Sequence, residues 1–209
     1  MEISAQLVKQ LRDKTGAGMM ECKAALKEAN GDLAAAEVVL RKKGIASATK
    51  KSTRSTKQGV IGTYVHPGSQ LGVMIEVNCE SDFVARTEDF QELVHDLAMQ
   101  VAAADPQFLR KEDVTEAALN KEREIYRARA LAEGKPEKML DKITEGRMAK
   151  YYEEVCLYEQ PFIKENSTTI ADLIKAKIAK LGENITVSRF VRFKVGDTAG
   201  AESGAATAE

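Results

Sequence analysis

Histidine is scarce in this chain and poorly placed for chemistry. Only His66 and His95 occur, and neither stands at metal-ligand spacing from a cysteine or from the other. No metal site and no catalytic residue is expected. The three cysteines, Cys22, Cys79 and Cys156, are odd in number, far apart and without C-x-x-C spacing, which argues against disulfides and fits reduced thiols in a cytoplasmic setting. The glycine-rich phosphate loops and the G-x-S-x-G elbow are missing, so the common nucleotide-binding and hydrolase signatures are absent and no cofactor is expected. No run approaches ~18 apolar residues, and the opening "MEISAQLVKQLRDKTG" lacks a signal-peptide core, so the chain is expected to be soluble and off the membrane. Nor is there a surplus of one charge: 31 Lys and Arg face 32 Asp and Glu. That balance argues against bulk electrostatic retention on nucleic acid or anionic lipid and points to a partner read by shape.

What is present is a globular chain: 209 residues with 44% hydrophobic content suffice for one ordinary core plus a small module. The first fifty residues read as three helices. Ser4 is placed to cap the first, with Leu7, Val8 and Leu11 on one face; the second begins near Gly18 and carries Met19, Met20, Ala24 and Leu26; "NGD" stops it, and Asp32 caps the third, which reaches Gly44 or somewhat beyond. Residues 41–57, "RKKGIASATKKSTRSTK", hold seven basic residues and no acidic one. They read as a solvated linker, or alternatively as a nucleic-acid contact, although no aromatic is interleaved for base stacking.

From Gly59 the periodicity becomes two. "GVIGTYVH", the turn "PGSQ" and "LGVMIEVN" predict a hairpin with Leu71, Val73, Ile75 and Val77 on one face. Thr87 is placed to cap a helix with Phe90, Leu93, Val94, Leu97 and Val101 at helical spacing. Residues 115–157 predict two antiparallel helices projecting as an arm, with Pro136 in the first turn of the second. "TTIADLIKAKIAKLG" predicts a further helix, and "ENITVSRFVRFKVG" a third strand with Ile185, Val187, Val191, Phe193 and Val195 on one face. The tail "DTAGAESGAATAE" lacks large apolar residues and is expected to be disordered.

Between hairpin and helix lies "EVNCESDFVART", residues 76–87, which puts Phe83 in a surface connection beside Asp82 and Arg86. An exposed Phe, a Met pair and glycine-rich breaks are the materials of a recognition surface. The stretches "LVKQLRDKTGAGMMECKAAL", "EVNCESDFVA", "EGRMAKYYEEV" and "EQPF", in this order, closely resemble the bacterial elongation factor Ts family, the likeness covering residues 2 to about 196.

The resemblance implies an α+β fold: a ubiquitin-associated (UBA)-like three-helix module over 1–50, a basic linker over 51–58, a core with a small antiparallel sheet over 59–113 and 158–196, a projecting helical hairpin over 114–157 and a tail over 197–209. It implies guanine-nucleotide exchange on elongation factor Tu without covalent chemistry. Arg12, Met19, Met20 and Lys23 then belong to the surface meeting a helix of Tu, unless one Met is core. Ser81, Asp82, Phe83 and Val84 correspond to the family's "TDFV" element, which disturbs the Mg²⁺ site of Tu; serine here keeps threonine's hydroxyl. Phe83 is the wedge, and Val84 is read as packing against its own core. Longer members carry two related core halves. This chain has a single hairpin, His66 matching a histidine of the longer second half and so joining the partner-contact residues. Short members pair, so a homodimer is implied; an intersubunit cysteine of the short form corresponds to Val191, making the pairing noncovalent. No direct nucleic-acid contact is expected. The rival readings are a non-catalytic UBA-like adaptor and an RNA-binding translation protein using residues 41–57.

Overall fold

The structure, a computed structural model, describes residues 3–197, so the expected tail lies outside the described residues apart from Asp197. Three helices open the chain: α1 (Ala5–Thr15), α2 (Met19–Glu28) and α3 (Leu33–Lys51). Their ends follow local chemistry. Leu7 N donates to the Ser4 hydroxyl at 3.3 Å and Ala35 N to the Asp32 carboxylate at 2.9 Å, while Glu21 reaches back to accept from Gly18 N at 3.1 Å. Val8, Leu11, Cys22, Ala25, Leu26 and Ala36 form this module's own core. On α2 the inward stripe is Cys22, Ala25 and Leu26, whereas Met19, Met20 and Ala24 face solvent.

The basic run corrects an expectation. Residues 41–51 are not linker but the second half of α3, which lies along α8 (Ile170–Leu181). A Cβ on Gly44 would sit 3.1 Å from the Ala179 methyl, and Ala48 is buried in the core of the sheet domain. Small residues every helical turn permit that approach, while Lys42, Lys43 and Lys50 stay exposed. Lys50 and Lys51 in the last turn also complement the helix dipole. The charge run is a solvated helix face.

Strands β1 (Gln58–Val65), β2 (Leu71–Cys79) and β5 (Ile185–Lys194) form an antiparallel sheet in the order β1-β2-β5. Val73, Ile75 and Val77 of the central strand point to one face, covered by α5 (Glu88–Ala104) and α8. Phe90, Leu93, Leu97 and Val101 of α5 are fully buried there, as is Ile170 of α8. Gly62 of β1 is what lets α5 come close, since a Cβ at that position would run into Val94 Cγ1.

The last strand does not keep a single face. Val77 pairs with Val187 but Glu76 pairs with Arg189, so Ser188 is an extra residue and side-chain parity reverses after it. Ile185 and Val187 point into the core, as do Phe190 and Arg192 beyond the bulge, Arg192 meeting Asp105 at 3.1 Å. Val191, Phe193 and Val195 fall on the other side. Together with Ile61, Val65 and Met74 they leave the outer face of the sheet apolar and open, Phe193 being 66% exposed.

Two helices, α6 (Glu116–Ala132) and α7 (Leu140–Val155), pack on each other around Leu119, Met148 and Val155, a cluster separate from the core of the sheet. Pro136 precedes a short 3-10 turn, Glu137–Met139, rather than sitting in the first turn of α7, because its ψ of 136° is extended. A small hairpin unforeseen from sequence, β3 (Pro161–Phe162) with β4 (Glu165–Thr169), leads into α8. Buried Gln100 holds it, donating to Pro161 O at 3.2 Å and accepting from Ile163 N at 2.9 Å.

Candidate functional site

The connection after β2 is not a loose loop. Its residues Asp82–Ala85 form a one-turn helix, α4, wedged between the end of β2 and the start of α5. Ser81 caps it, its hydroxyl accepting from Val84 N at 3.4 Å. At the far end the Thr87 hydroxyl donates to Val84 O at 2.8 Å and accepts from Phe90 N at 3.3 Å, so one side chain closes α4 and opens α5. Gln91 donates to Ala85 O at 2.6 Å, and Cys79 Sγ to Ser81 O at 3.1 Å. Ala85 is buried and Val84 packs partly against the core, as expected for Val84. A four-residue helix thus has one inward side and one outward side. Phe83 is on the outward side, 79% exposed.

Two further residues hold this turn and were not found by sequence reasoning. Glu183, in the turn between α8 and β5, accepts from Glu80 N at 3.1 Å, Ser81 N at 2.9 Å and the Ser81 hydroxyl at 2.6 Å. Glu80 in return accepts from Asn184 N at 2.7 Å. Asn184 is buried and donates through Nδ2 to the carbonyls of Ser52 and Arg54, at 3.3 and 2.8 Å. The end of α3, the end of β2 and the start of β5 are therefore tied together beside Phe83. In "LGEN" the only local signal was turn chemistry after Gly182, and nothing in it names a partner a hundred residues upstream.

The other expected contact residues are distributed. Arg12, Met19, Met20 and Lys23 are exposed on α1 and α2, with Met19 and Met20 at 51% and 76%. His66 is exposed in the β1–β2 turn, its Nδ1 3.0 Å from the Tyr64 hydroxyl. The whole of β2 separates it from Ser81, about 27 Å at the rise of an extended strand. The fold does not bring His66 and Phe83 together. His95 is exposed on α5, its ring 5.9 Å from that of Tyr64 and near edge-on.

Covalent chemistry finds few materials here. Burial pushes the Cys79 thiol up, helped by the nearby Glu183 charge, and burial pushes Cys156 up to about 11. Such thiols are poor nucleophiles near neutrality. Cys22, Cys79 and Cys156 are all free and buried. Among the described residues no group of three or more His, Cys, Asp or Glu side chains could hold a metal ion, and no helix is long and apolar enough to cross a membrane. One surface cleft, lined by Glu88, Asp89, Glu92 and Lys180, is a clasp of ion pairs between α5 and α8: Lys180 meets Asp89 at 2.6 Å and Lys177 meets Glu92 at 2.9 Å. The arrangement can present an aromatic ring on a rigid mount, and it can present the Met pair on a separate module.

The chain is similar to known proteins along most of its length. Residues 20–197 match the family model described as Elongation factor TS. The protein named Elongation factor Ts of Solibacter usitatus is 73% identical over 206 residues, 99% of this chain and 97% of that one. Its namesake in Koribacter versatilis is 62% identical over 197 residues, covering 94% and 90% of the two chains, and that of Moorella thermoacetica 58% over 195 residues, covering 93% and 96%. With likeness of this depth along almost its whole length, on an α+β framework, the chain belongs to the elongation factor Ts family.

Proposed function

We propose that this chain binds elongation factor Tu in its GDP-bound and nucleotide-free states and promotes exchange of GDP for GTP by inserting Phe83 beside the Mg²⁺ and phosphate site of Tu, without covalent chemistry of its own. The observation that carries this reading is the 79% exposure of Phe83 on a helical turn tied down at both ends. A ring so placed keeps its shape and orientation without a pocket in its own chain, and burial in a partner recovers apolar area at little ordering cost. Ser81, Asp82 and Val84 serve this element as cap, flanking charge and base.

One ring is not enough. Raising nucleotide release by a factor of about a thousand requires ~4 kcal/mol of coupling, whereas burying a Phe supplies about 1.5–3 kcal/mol. The remainder is assigned to the three-helix module, UBA-like by resemblance, docking through Arg12, Met19, Met20 and Lys23, with His66 as a distant further contact. By reciprocity, GTP binding then weakens the hold on Tu and releases the factor. The units proposed for these tasks are the module at 1–50, the core at 59–113 with 158–196, and the helical arm at 114–157.

The core is further assigned as a dimerisation domain. Support comes from the outer face of the sheet, where Ile61, Val65, Met74, Val191 and Phe193 stand exposed in adjacent rows of three strands. A second copy of the chain, related by a two-fold axis, would cover that face with its own. Val191 stands 41% exposed within it, so packing and not a disulfide would join the copies. Three reduced, buried thiols suit a cytoplasmic setting. The decisive experiment follows release of labelled GDP from Tu. Substoichiometric amounts of this chain are expected to accelerate it, and unchanged release at saturating chain removes the exchange reading.

A further inference from the structure

We propose that Glu183 is a positioning residue for exchange: its carboxylate sets the orientation of the turn that carries Phe83. The inference rests on the exchange reading above. It begins from the three hydrogen bonds that converge on Glu183 from two consecutive residues, Glu80 and Ser81. Both backbone N–H groups lie at the open end of β2, where the strand ladder has no further partner for them. Oε2 accepts both, and Oε1 takes the Ser81 hydroxyl proton at 2.6 Å. Hydrogen bonds to an ionised acceptor are the stronger kind.

The consequence reaches Phe83 through the hydroxyl. Once the Ser81 proton is committed to Glu183, the lone pairs of Oγ are turned toward the helix, where Val84 N donates to them. Glu183 thereby fixes both the backbone at the start of α4 and the polarity of its cap. Serine keeps the hydroxyl of the family pattern's threonine, and the hydroxyl oxygen is the group that both Glu183 and Val84 N engage. The residue itself is held by its neighbour, since Asn184 N donates to Glu80 and the Asn184 amide donates to the carbonyls after α3. Glu183 touches no partner and no nucleotide in this account and acts only through the turn.

An amide can reproduce this geometry. In Glu183→Gln the side-chain carbonyl can accept both backbone donors while the NH₂ donates to Ser81 Oγ, so orientation survives without charge. Glu183→Ala leaves all three donors without their acceptor. The test titrates the full chain and its Glu183→Ala, Glu183→Gln, Phe83→Ala and Glu183→Ala/Phe83→Ala variants into Tu carrying labelled GDP, reading the maximal release rate and the half-saturating concentration separately. Glu183→Ala is expected to lower the maximal rate about tenfold with the half-saturating concentration within about twofold, and Glu183→Gln to recover most of the rate. In the Phe83→Ala background, Glu183→Ala is expected to bring no further loss, because the two act as one device.

Losses that multiply in the double variant, or a lower maximal rate accompanied by a higher half-saturating concentration and a lower thermal midpoint, mean a merely structural carboxylate and overturn the proposal. Wild-type exchange by Glu183→Ala overturns it as well, and leaves the exchange reading standing. No acceleration by the unsubstituted chain brings down the exchange reading and this assignment with it. Should Glu183→Ala not fold, Glu183→Asp keeps the charge but withdraws it by one methylene; it is expected to lose exchange, and an unimpaired Glu183→Asp chain refutes the positioning role.

Discussion

Phe83→Ala separates the stability of the free protein from its work on a partner. The ring is 79% exposed, so about one-fifth of its surface contributes to folding. With about 1.5–3 kcal/mol for burying a whole Phe, the variant should lose only ~0.3–0.6 kcal/mol of stability. The other four-fifths remains for the partner, worth ~1.2–2.4 kcal/mol, which corresponds to roughly a tenfold to fiftyfold loss in GDP release. Phe90→Ala provides the contrast: that ring is wholly buried under the sheet, and its truncation should cost ~3–5 kcal/mol. Thermal denaturation of both variants and stopped-flow GDP release with Phe83→Ala complete the assay. Release within about twofold of the parent chain would remove the wedge. A loss of stability like that of Phe90→Ala would place Phe83 in the core.

The double substitution Met19→Ala/Met20→Ala should raise the half-saturating concentration for exchange several-fold with an unchanged thermal midpoint, since both side chains are exposed; titration calorimetry showing undiminished affinity for Tu refutes the docking role. It is a cleaner perturbation than deleting residues 1–50, which would also strip α3 from α8 and take Ala48 from the sheet domain's core. Phe193→Lys should turn a noncovalent dimer into a monomer by light scattering at micromolar concentration while leaving the fold intact, and a parent chain that is itself monomeric with or without reductant refutes the sheet-face pairing. The clasp between α5 and α8 should weaken in acid. The hydrogen bond from Lys180 holds Asp89 below its ordinary 3.8, and that from Lys177 holds Glu92 below its ordinary 4.5. Carboxylates lowered on folding contribute fully above those ordinary values and lose the contribution as pH falls through the lowered ones. The gap in thermal midpoint between the parent chain and Lys177→Met should therefore close as pH falls from about 5 to about 2, and a gap that stays constant refutes the assignment.

Local chemistry alone determined where most helices begin. Ser4, Asp32, Thr87 and Thr169 each accept from the backbone three residues on, a bond closed within one turn and so written in adjacent residues. The hairpin was equally legible, because alternation in Leu71–Val77 and the turn at Pro67–Gln70 act over a few residues. So was the exposure of Phe83, as a large ring in a short connection with charged neighbours has no core within reach. Only tertiary structure decided the rest. The parity of β5 turns on one extra residue, Ser188, and pairing with β2 alone decides which residue is extra. The basic run becomes helix because α8 supplies a surface for Gly44 and Ala48, a gain invisible to propensity and charge. The mount beneath Phe83 is completed by Glu183, about a hundred residues from Ser81, and no periodicity in a chain encodes a contact between two turns that meet only when the sheet has closed.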